Sequence, residues 1–516
     1  MMWIAAACAL SIAVLCAPDD PPTNPDLGAV LESEALERDL DEVRRVIDQE
    51  WILSNSTQAS YTEAIQAIKA RGRTTTAEFA LDLQRLLALS ADGHANSGWM
   101  YPAMKHISGR ELPFTLEIVG DRYVAIDPTS FRRNQLWNTD HPYVVAIDGA
   151  PAERWVAAAM PLIPRSHPLS MRAQACNLIR FAGYFRTLLE IEDSPTFTVD
   201  LESVEGKRVS IVVDDSGTSR ESLFKYSQFL EGQEPWRITD SNLGYIKVIG
   251  YSDVMGPRLV EAMPKLRGTR GLVLDVRGGQ GGVGETLNLL GIWLTGGEHP
   301  RHFAGIERKP KGAPVTGNFH TVDADSPDLS PKGRQLVASW LERFRGEWVP
   351  PSAIPMVDRC VLLAPPSAEP RIMPYSHPDV DRLLPPESIY YYDRPVAILV
   401  DRHSFSAEEL IAAGLQGLPN VTVVGERTRG GGGASKTFPL PASGLTFQVA
   451  AKSIYIPPNG HSIDGAGVVP DIHVGVDLET ITGPGDPMLD RAMREVEWAL
   501  TQGQIQPASV SVAPLQ

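Results

Sequence analysis

The sequence predicts an α/β protein in which parallel strands joined by helices form the core, preceded by a helical segment and a β-rich module. Three observations predict it. From Leu243 to Val474 short apolar runs alternate with amphipathic ones, the succession expected of βαβ units with right-handed crossovers. From Gly28 to Leu89 apolar residues recur at helical spacing, as in Leu81, Leu83, Leu86, Leu87 and Leu89. Between about Leu112 and Val213 the pattern turns to short strand-like runs punctuated by turn residues.

The N-terminal run from Trp3 to Ala17 is apolar but too short for a membrane span of about 20 residues, and the polar, proline-rich Pro18–Pro22 follows it. That is the outline of a secretory signal over residues 1–17, so the chain is expected to be exported. Cys8 and Cys16 fall within it. Cys176 and Cys360 remain, enough for one disulfide, and no metal-type cysteine spacing is present. Of 516 residues 43% are hydrophobic and 21% charged, an ordinary globular balance, and the formal charge of −16 argues against nucleic acid as a partner.

Two or three packed helices are expected over Gly28–Leu89. Strands are expected at Phe114–Val119, at Tyr143–Ile147 closing on the turn Asp148-Gly149, at Phe197–Leu201 and at Val209–Val213, with one long helix from Met171 to Ile191 among them. Tyr245–Val248 leads to a helix near Pro257–Leu266, Gly271–Val276 through a glycine-rich turn to a helix near Glu285–Leu294, and Pro395–Val400 to a helix opening near Ser406. Val421–Gly425 follows. The interval 299–393 is rich in Pro and Gly and weakly periodic, and reads as an insertion on the core; the tail after Ile505 reads as unstructured.

Chemistry concentrates in four places. The stretch Arg402-His403-Ser404-Phe405-Ser406-Ala407-Glu408-Glu409 lies between a buried strand and a helix, where a serine meets the unpaired N–H groups of a helix N-terminus; the same position also suits a serine that merely caps the helix. A serine hydroxyl needs a base to take its proton. His94, in the turn Asp92-Gly93-His94, is one candidate, and Asp464, in the glycine-flanked Ile463-Asp464-Gly465-Ala466-Gly467, is a carboxylate able to orient an imidazole or a water. Arg277-Gly278-Gly279-Gln280-Gly281-Gly282 follows a strand and precedes a helix, so its N–H groups can bind an anion. It lacks the Gly-Lys-Ser/Thr of a nucleotide loop and the spacing of a dinucleotide fingerprint.

In this order these motifs resemble the tail-specific, C-terminal-processing and tricorn-core family of serine peptidases. The resemblance rests on Gly244-Tyr245-Ile246, the Leu-Asp-Val-Arg strand with its glycine turn, Ser404–Glu409, Gly425-Glu426-Arg427-Thr428 and Gly465–Ile472, and extends to Asp92-Gly93-His94. It implies a crotonase (ClpP)-like α/β core, N-terminal helices and a PDZ-like module, here degenerate. The divisions expected are the signal 1–17, a helical region 18–95, the PDZ-like module 112–215, the peptidase core 236–480 with its insertion at about 299–393, and a C-terminal helix and tail over 481–516.

By matching positions the resemblance implies Ser406 as nucleophile, His94 as base, Asp464 as the orienting acid where the tricorn-like branch has glutamate, and the N–H of Ala407 with that of Gly281 or Gly282 as oxyanion hole. Arg277, Ser404 and Glu408 are expected to support them. The tail-specific branch uses a lysine as base; its position is Gly431 here, and Lys436 and Lys452 fall off the motif. The implied activity is endopeptidase cleavage of a protein or peptide substrate through an acyl-enzyme, with no metal and no organic cofactor, by a chain that could assemble into oligomers. The alternatives are a catalytically silent binding relative, a Ser-Lys protease, and a crotonase-like enzyme acting on thioesters.

Overall fold

The computed structural model describes residues 24–54, 60–127, 136–215, 236–248, 252–282, 285–294, 302–313, 321–326, 331–343, 354–363, 390–482 and 485–502. The expected signal at 1–17 and the tail beyond Ile505 lie outside them. Among the described residues no helix is long and apolar enough to cross a membrane.

The apolar run Val396–Val400 becomes an interior strand of a six-stranded sheet ordered Trp236–Ile238, Gly244–Lys247, Leu272–Asp275, Val396–Val400, Val421–Gly425 and Ile472–His473. All neighbours pair parallel except the first two strands. Side chains alternate across a strand, so Val396, Ile398 and Val400 pack on one face with residues of the helices Ser252–Leu266, Glu285–Leu294 and Ala407–Leu415. Ala397 and Leu399 face Met488, Leu489, Ala492 and Val496 of the helix Pro487–Gln502. All five residues of this strand are buried; at about 1.5–3 kcal/mol for each large apolar side chain, the strand is held firmly enough to carry a strained residue near its end.

A second, antiparallel sheet runs in the order Thr321–Val322, Met356–Leu363, His302–Pro310, Thr446–Ile456 and Gly433–Pro439, with the short strand Asn96–Ser97 pairing to Thr446–Ile456. The interval 299–393, expected as a weakly periodic insertion on the core, contributes to this sheet. Its described part supplies two long strands and the helix Pro331–Arg343, so it is a component of a central sheet. Charge interrupts the apolar pattern here: Glu307, Arg308 and Lys309 lie together on one strand, Arg308 pairs with Asp358 directly opposite it at 2.6 Å, and only Cys360–Leu363 remains as a short apolar run. The hairpin Gly433–Pro439 with Thr446–Ile456 was likewise not foreseen.

The β-rich module forms a third sheet, Thr115–Val119, Arg122–Ile126, Tyr143–Ile147, Thr196–Glu202 and Arg208–Asp214, with Ala150–Pro151 beside Tyr143–Ile147. The helix expected from Met171 to Ile191 is two helices, Pro168–Leu178 and Ala182–Leu189. The break is imposed by tertiary pairing: Leu112 N–H donates to Arg180 O at 2.9 Å and Gly183 N–H to Arg110 O at 3.1 Å, which diverts the backbone groups a continuous helix needs. The N-terminal helices Ser33–Gln49, Tyr61–Ala70 and Thr76–Leu87 appear as expected and share one core with the second and third sheets. Cys176 and Cys360 are both buried and free, so the disulfide left open by the sequence is not made.

Candidate active site

Ser406 stands between the end of the central strand and the helix Ala407–Leu415 with φ +57° and ψ −116°, a backbone conformation that costs a non-glycine residue about 1–3 kcal/mol. The preceding turn enforces it. Asp401 Oδ1 accepts from the N–H groups of Gly278 (3.0 Å), His403 (3.0 Å) and Ser404 (2.8 Å), Ser404 Oγ donates to Val276 O at 3.0 Å, and Phe405 N–H donates to Gly279 O at 3.0 Å. Ser404 therefore ties the serine turn to the glycine turn. Arg277 holds the base of that turn through Asp275 and through Asp486 at the start of the C-terminal helix, at 2.7 and 2.8 Å.

His94 reaches the serine along a different route. The helix Thr76–Leu87 starts in a Thr75/Glu78 capping box and ends into Ser90, after which Asp92 fixes the loop: Oδ1 accepts from His94 N–H at 2.9 Å, and Oδ2 from Trp51 Nε1 at 2.8 Å and Ala450 N–H at 2.7 Å. Two residues on, Asn96–Ser97 pairs with Gln448 and Phe447. Gly93 lies so close to the loop opposite that a Cβ on it would stand 2.4 Å from Gly430 O. The outcome is His94 Nε2 at 3.1 Å from Ser406 Oγ, between residues 312 positions apart, with the Phe405 ring centroid 4.7 Å from the imidazole.

Asp464 arrives from the loop after the second sheet, 8% exposed, with Oδ1 accepting from Gly432 N–H at 3.1 Å and Gly433 N–H at 3.3 Å. It makes no direct hydrogen bond to His94: Asp464 Oδ2 and His94 Nδ1 are both buried without a partner. A ring nitrogen of His94 and one oxygen each of Asp92 and Asp464 nevertheless lie within 4.8 Å of one another. Burial raises both carboxyls, Asp92 to about 6, and Asp464 well above the usual range with the charges of Asp92 and Glu409 adding to the effect. Burial, and after it the positive charge of Arg429, push His94 down to about 3.

A base with so low a pKa stays neutral far into acid. If His94 is the base, its own protonation is expected to cost fluorophosphonate labelling of Ser406 nothing down to about pH 5, where an ordinary histidine of pKa about 6.5 would be only about 3% neutral. The lowered pKa favours the neutral form, so His94 is lost only as pH falls toward 3, and a decline between pH 7 and 5 belongs to the carboxyls of Glu409 and Asp92, at about 7 and 6; a half-maximal rate near pH 6.5 that persists in Glu409→Gln and in Asp92→Asn would contradict this environment.

The glycine turn bears on the choice between Gly281 and Gly282. Gly281 N–H donates to Glu408 Oε2 at 2.7 Å, so in this arrangement it is engaged and not free for an oxyanion, whereas Gly282 is exposed beside it. Glu408, fully buried, is thus a clasp between helix and turn. Ala407 occupies the first helical position, where a backbone N–H has no intrahelical acceptor. No lysine comes to the serine along the motif: a Cβ at Gly431 would stand 2.1 Å from Phe405 Cε2, and Lys436 Nζ pairs with Glu50 at 3.1 Å. Lys452 is half-buried on the strand Thr446–Ile456.

Two groups were missed in the sequence. Glu409 accepts from the N–H groups of Ser406 (3.1 Å), Gly430 (2.7 Å) and Gly431 (2.7 Å) and from Thr428 Oγ1; burial outweighs these four bonds and lifts its carboxyl to about 7. The Ser-x-x-Glu spacing of Ser406 and Glu409 was a legible signal. Arg402 is the other: it grips Glu426 through Nε at 2.7 Å and through Nη2, donates from Nη1 to Ile118 O at 3.0 Å, and lies beside Glu117, which also bonds His403 Nε2 at 2.7 Å. Burial would raise Glu117, but His403 and Arg402 outweigh it and hold the carboxyl at about 2.

Residues 242–474 match the family model described as peptidase family S41. A carboxy-terminal-processing protease of Bartonella bacilliformis is 34% identical over 82 residues, 16% of this chain and 18% of that protein. A carboxyl-terminal-processing protease of Synechocystis sp. is 34% identical over 105 residues, 20% of this chain and 24% of that protein. The alignments thus span less than a quarter of the length of these curated relatives. Among solved structures, mature CPAF superposes with a TM-score of 0.57 at 14% identity, covering 92% of this chain and 99% of that one, a likeness of fold.

Proposed function

The chain belongs to peptidase family S41 through residues 242–474, and from that premise we propose that it is a serine endopeptidase that cleaves protein or peptide substrates through an acyl-enzyme. The observation that carries this reading is the 3.1 Å approach of His94 Nε2 to Ser406 Oγ, made by two loops that the second sheet and the serine turn hold independently. Ser406 Oγ attacks the substrate carbonyl while His94 Nε2 takes its proton. The oxyanion of the tetrahedral intermediate is held by the N–H groups of Ala407 and Gly282, at the positive end of the helix Ala407–Leu415. His94 then gives the proton to the leaving amine, and water resolves the ester by the same steps reversed.

Asp464 orients His94 through one water. Each of the two unpartnered atoms, His94 Nδ1 and Asp464 Oδ2, needs a polar neighbour, and a bridging water would satisfy both, at the cost of a weaker hold on the imidazole than a direct bond gives. Asp92 positions the histidine from behind through the backbone. The steric block at Gly431 and the Lys436–Glu50 pair weigh against a Ser-Lys mechanism.

We read the core 236–480 as crotonase-like and the third sheet with its helices, over 112–215, as a degenerate PDZ-like module that adds a substrate strand to its edge. Export is the localisation this reading favours, through the leader at 1–17, which lies outside the described residues. The test is fluorophosphonate labelling of the purified chain beside Ser406→Ala, His94→Ala and Lys436→Ala. Labelling is expected to vanish in the first, fall steeply in the second and persist in the third; an unlabelled folded wild type would favour a silent binding relative, and loss with Lys436→Ala would move the base to lysine.

A further inference from the structure

The mechanism leaves one charged group of the site without a task. Arg429 follows Thr428 in the loop that faces the His94 turn, and its backbone N–H donates to Ser404 O at 3.0 Å. Its guanidinium lies over the Phe405 ring, 4.1 Å from the centroid, and the same ring stands 4.7 Å from the His94 ring. Phe405 is thus in contact with both the guanidinium and the imidazole.

Among the described residues Arg429 makes no ion pair, and its Nε is buried without a hydrogen-bond partner. Other buried arginines are paired: Arg402 with Glu426, Arg186 with Asp148, Arg180 with Glu111, and Arg277 with Asp275 and Asp486. The chain has acids to spare, 63 against 47 basic residues, so a missing counter-ion here is not a shortage. The nearby carboxylate, Glu409, is already committed to four donors from the serine turn and the glycine loop. Arg429 is half-buried, and a cation partly withdrawn from water with no counter-ion is costly to hold unless something anionic joins it; it shares the Phe405 ring with His94, the partner of Ser406.

We propose that Arg429 is the counter-ion for a carboxylate of the peptide substrate, and that the enzyme selects peptides carrying one close to the scissile bond. The inference rests on the peptidase reading of the same site. Two sources share this chemistry, an acidic side chain and a free C-terminal carboxylate. In either case the guanidinium supplies charge-assisted hydrogen bonds, with Phe405 holding its plane.

The experiment measures binding on a Ser406→Ala background, where cleavage is not required, using fluorescein-labelled pools of random octapeptides. One pool has a central Glu and an amidated C-terminus, a second a central Gln and a free C-terminus, and a third a central Gln with an amidated C-terminus. The first or second pool is expected to bind at least 10-fold more tightly than the third, and which one does identifies the source. Arg429→Met, which keeps an apolar stem over Phe405, is expected to reduce that ratio to within about 2-fold, and Arg429→Lys to restore part of it. Each ratio is taken within one preparation and is independent of how much of it is folded. Equal binding of all three pools, or a preference that survives Arg429→Met, would overturn the proposal. Fluorophosphonate labelling of wild type reports separately on the peptidase reading, so failure of one is distinguishable from failure of the other.

Discussion

His94→Ala is expected to lower kcat by about 10⁴–10⁶-fold with little change in KM, because in the proposed mechanism the imidazole, 3.1 Å from Ser406 Oγ, takes the serine's proton and does not act on the substrate's ground state. Asp464→Asn is expected to cost far less, about 10²-fold. An aspartate bonded directly to its histidine is worth about 10⁴, and here the carboxylate oxygen facing the ring makes no such bond. The ordering, His94 well above Asp464, is what distinguishes a water-bridged pair from a directly bonded one. Steady-state kinetics on a peptide substrate would measure it, and an Asp464→Asn loss equal to that of His94→Ala would mean that the acid closes onto the imidazole in the working enzyme. Asp92→Asn is a useful companion, since Asp92 acts on the His94 backbone and two other donors and should therefore lower stability as well as rate.

The parallel sheet was legible because its strands are buried on both faces and read as unbroken apolar runs, Leu272–Asp275 and Val396–Val400 among them. The second sheet was not, since cross-strand pairs such as Arg308 with Asp358 replace hydrophobic alternation with matched charge that only the register reveals. Ser406 announced itself by its place between strand and helix. His94 stood out only as one candidate in a turn until the resemblance paired it with the serine, since the two short elements that carry it there, the Asp92 loop and Asn96–Ser97, depend on partners at Ala450 and Phe447–Gln448, more than 300 residues away in the chain. The engagement of Gly281 by Glu408 was hidden for the same reason: the glycine run advertises free N–H groups, and whether one is free depends on which side chain folds back onto it. Arg429 left no local sign at all, because being unpaired is a property of the packed site.

Arg402→Met is expected to be the most destabilising change near the site that touches neither Ser406 nor His94. Arg402 is 3% exposed, and its two forks bind Glu426 on one side and Glu117 with Ile118 O on the other, bolting the serine turn to the first strand of the third sheet. Removing the cation leaves Glu426 buried with its charge uncompensated, a loss of about 3–5 kcal/mol for a broken buried pair. Glu117 loses one of its two cations but keeps His403 at 2.7 Å, so the damage should centre on Glu426 and on the turn it anchors. Arg402→Met combined with Glu426→Gln is accordingly expected to recover a large part of the stability, because the second change removes the charge that the first left stranded. Urea titrations followed by fluorophosphonate labelling at Ser406 would read the local cost, with intrinsic tryptophan fluorescence reading the rest of the chain. If the double variant is no more stable than Arg402→Met, the arginine stabilises the turn chiefly through its bond to Ile118 O and its packing, and the link to the third sheet matters more than the ion pair with Glu426.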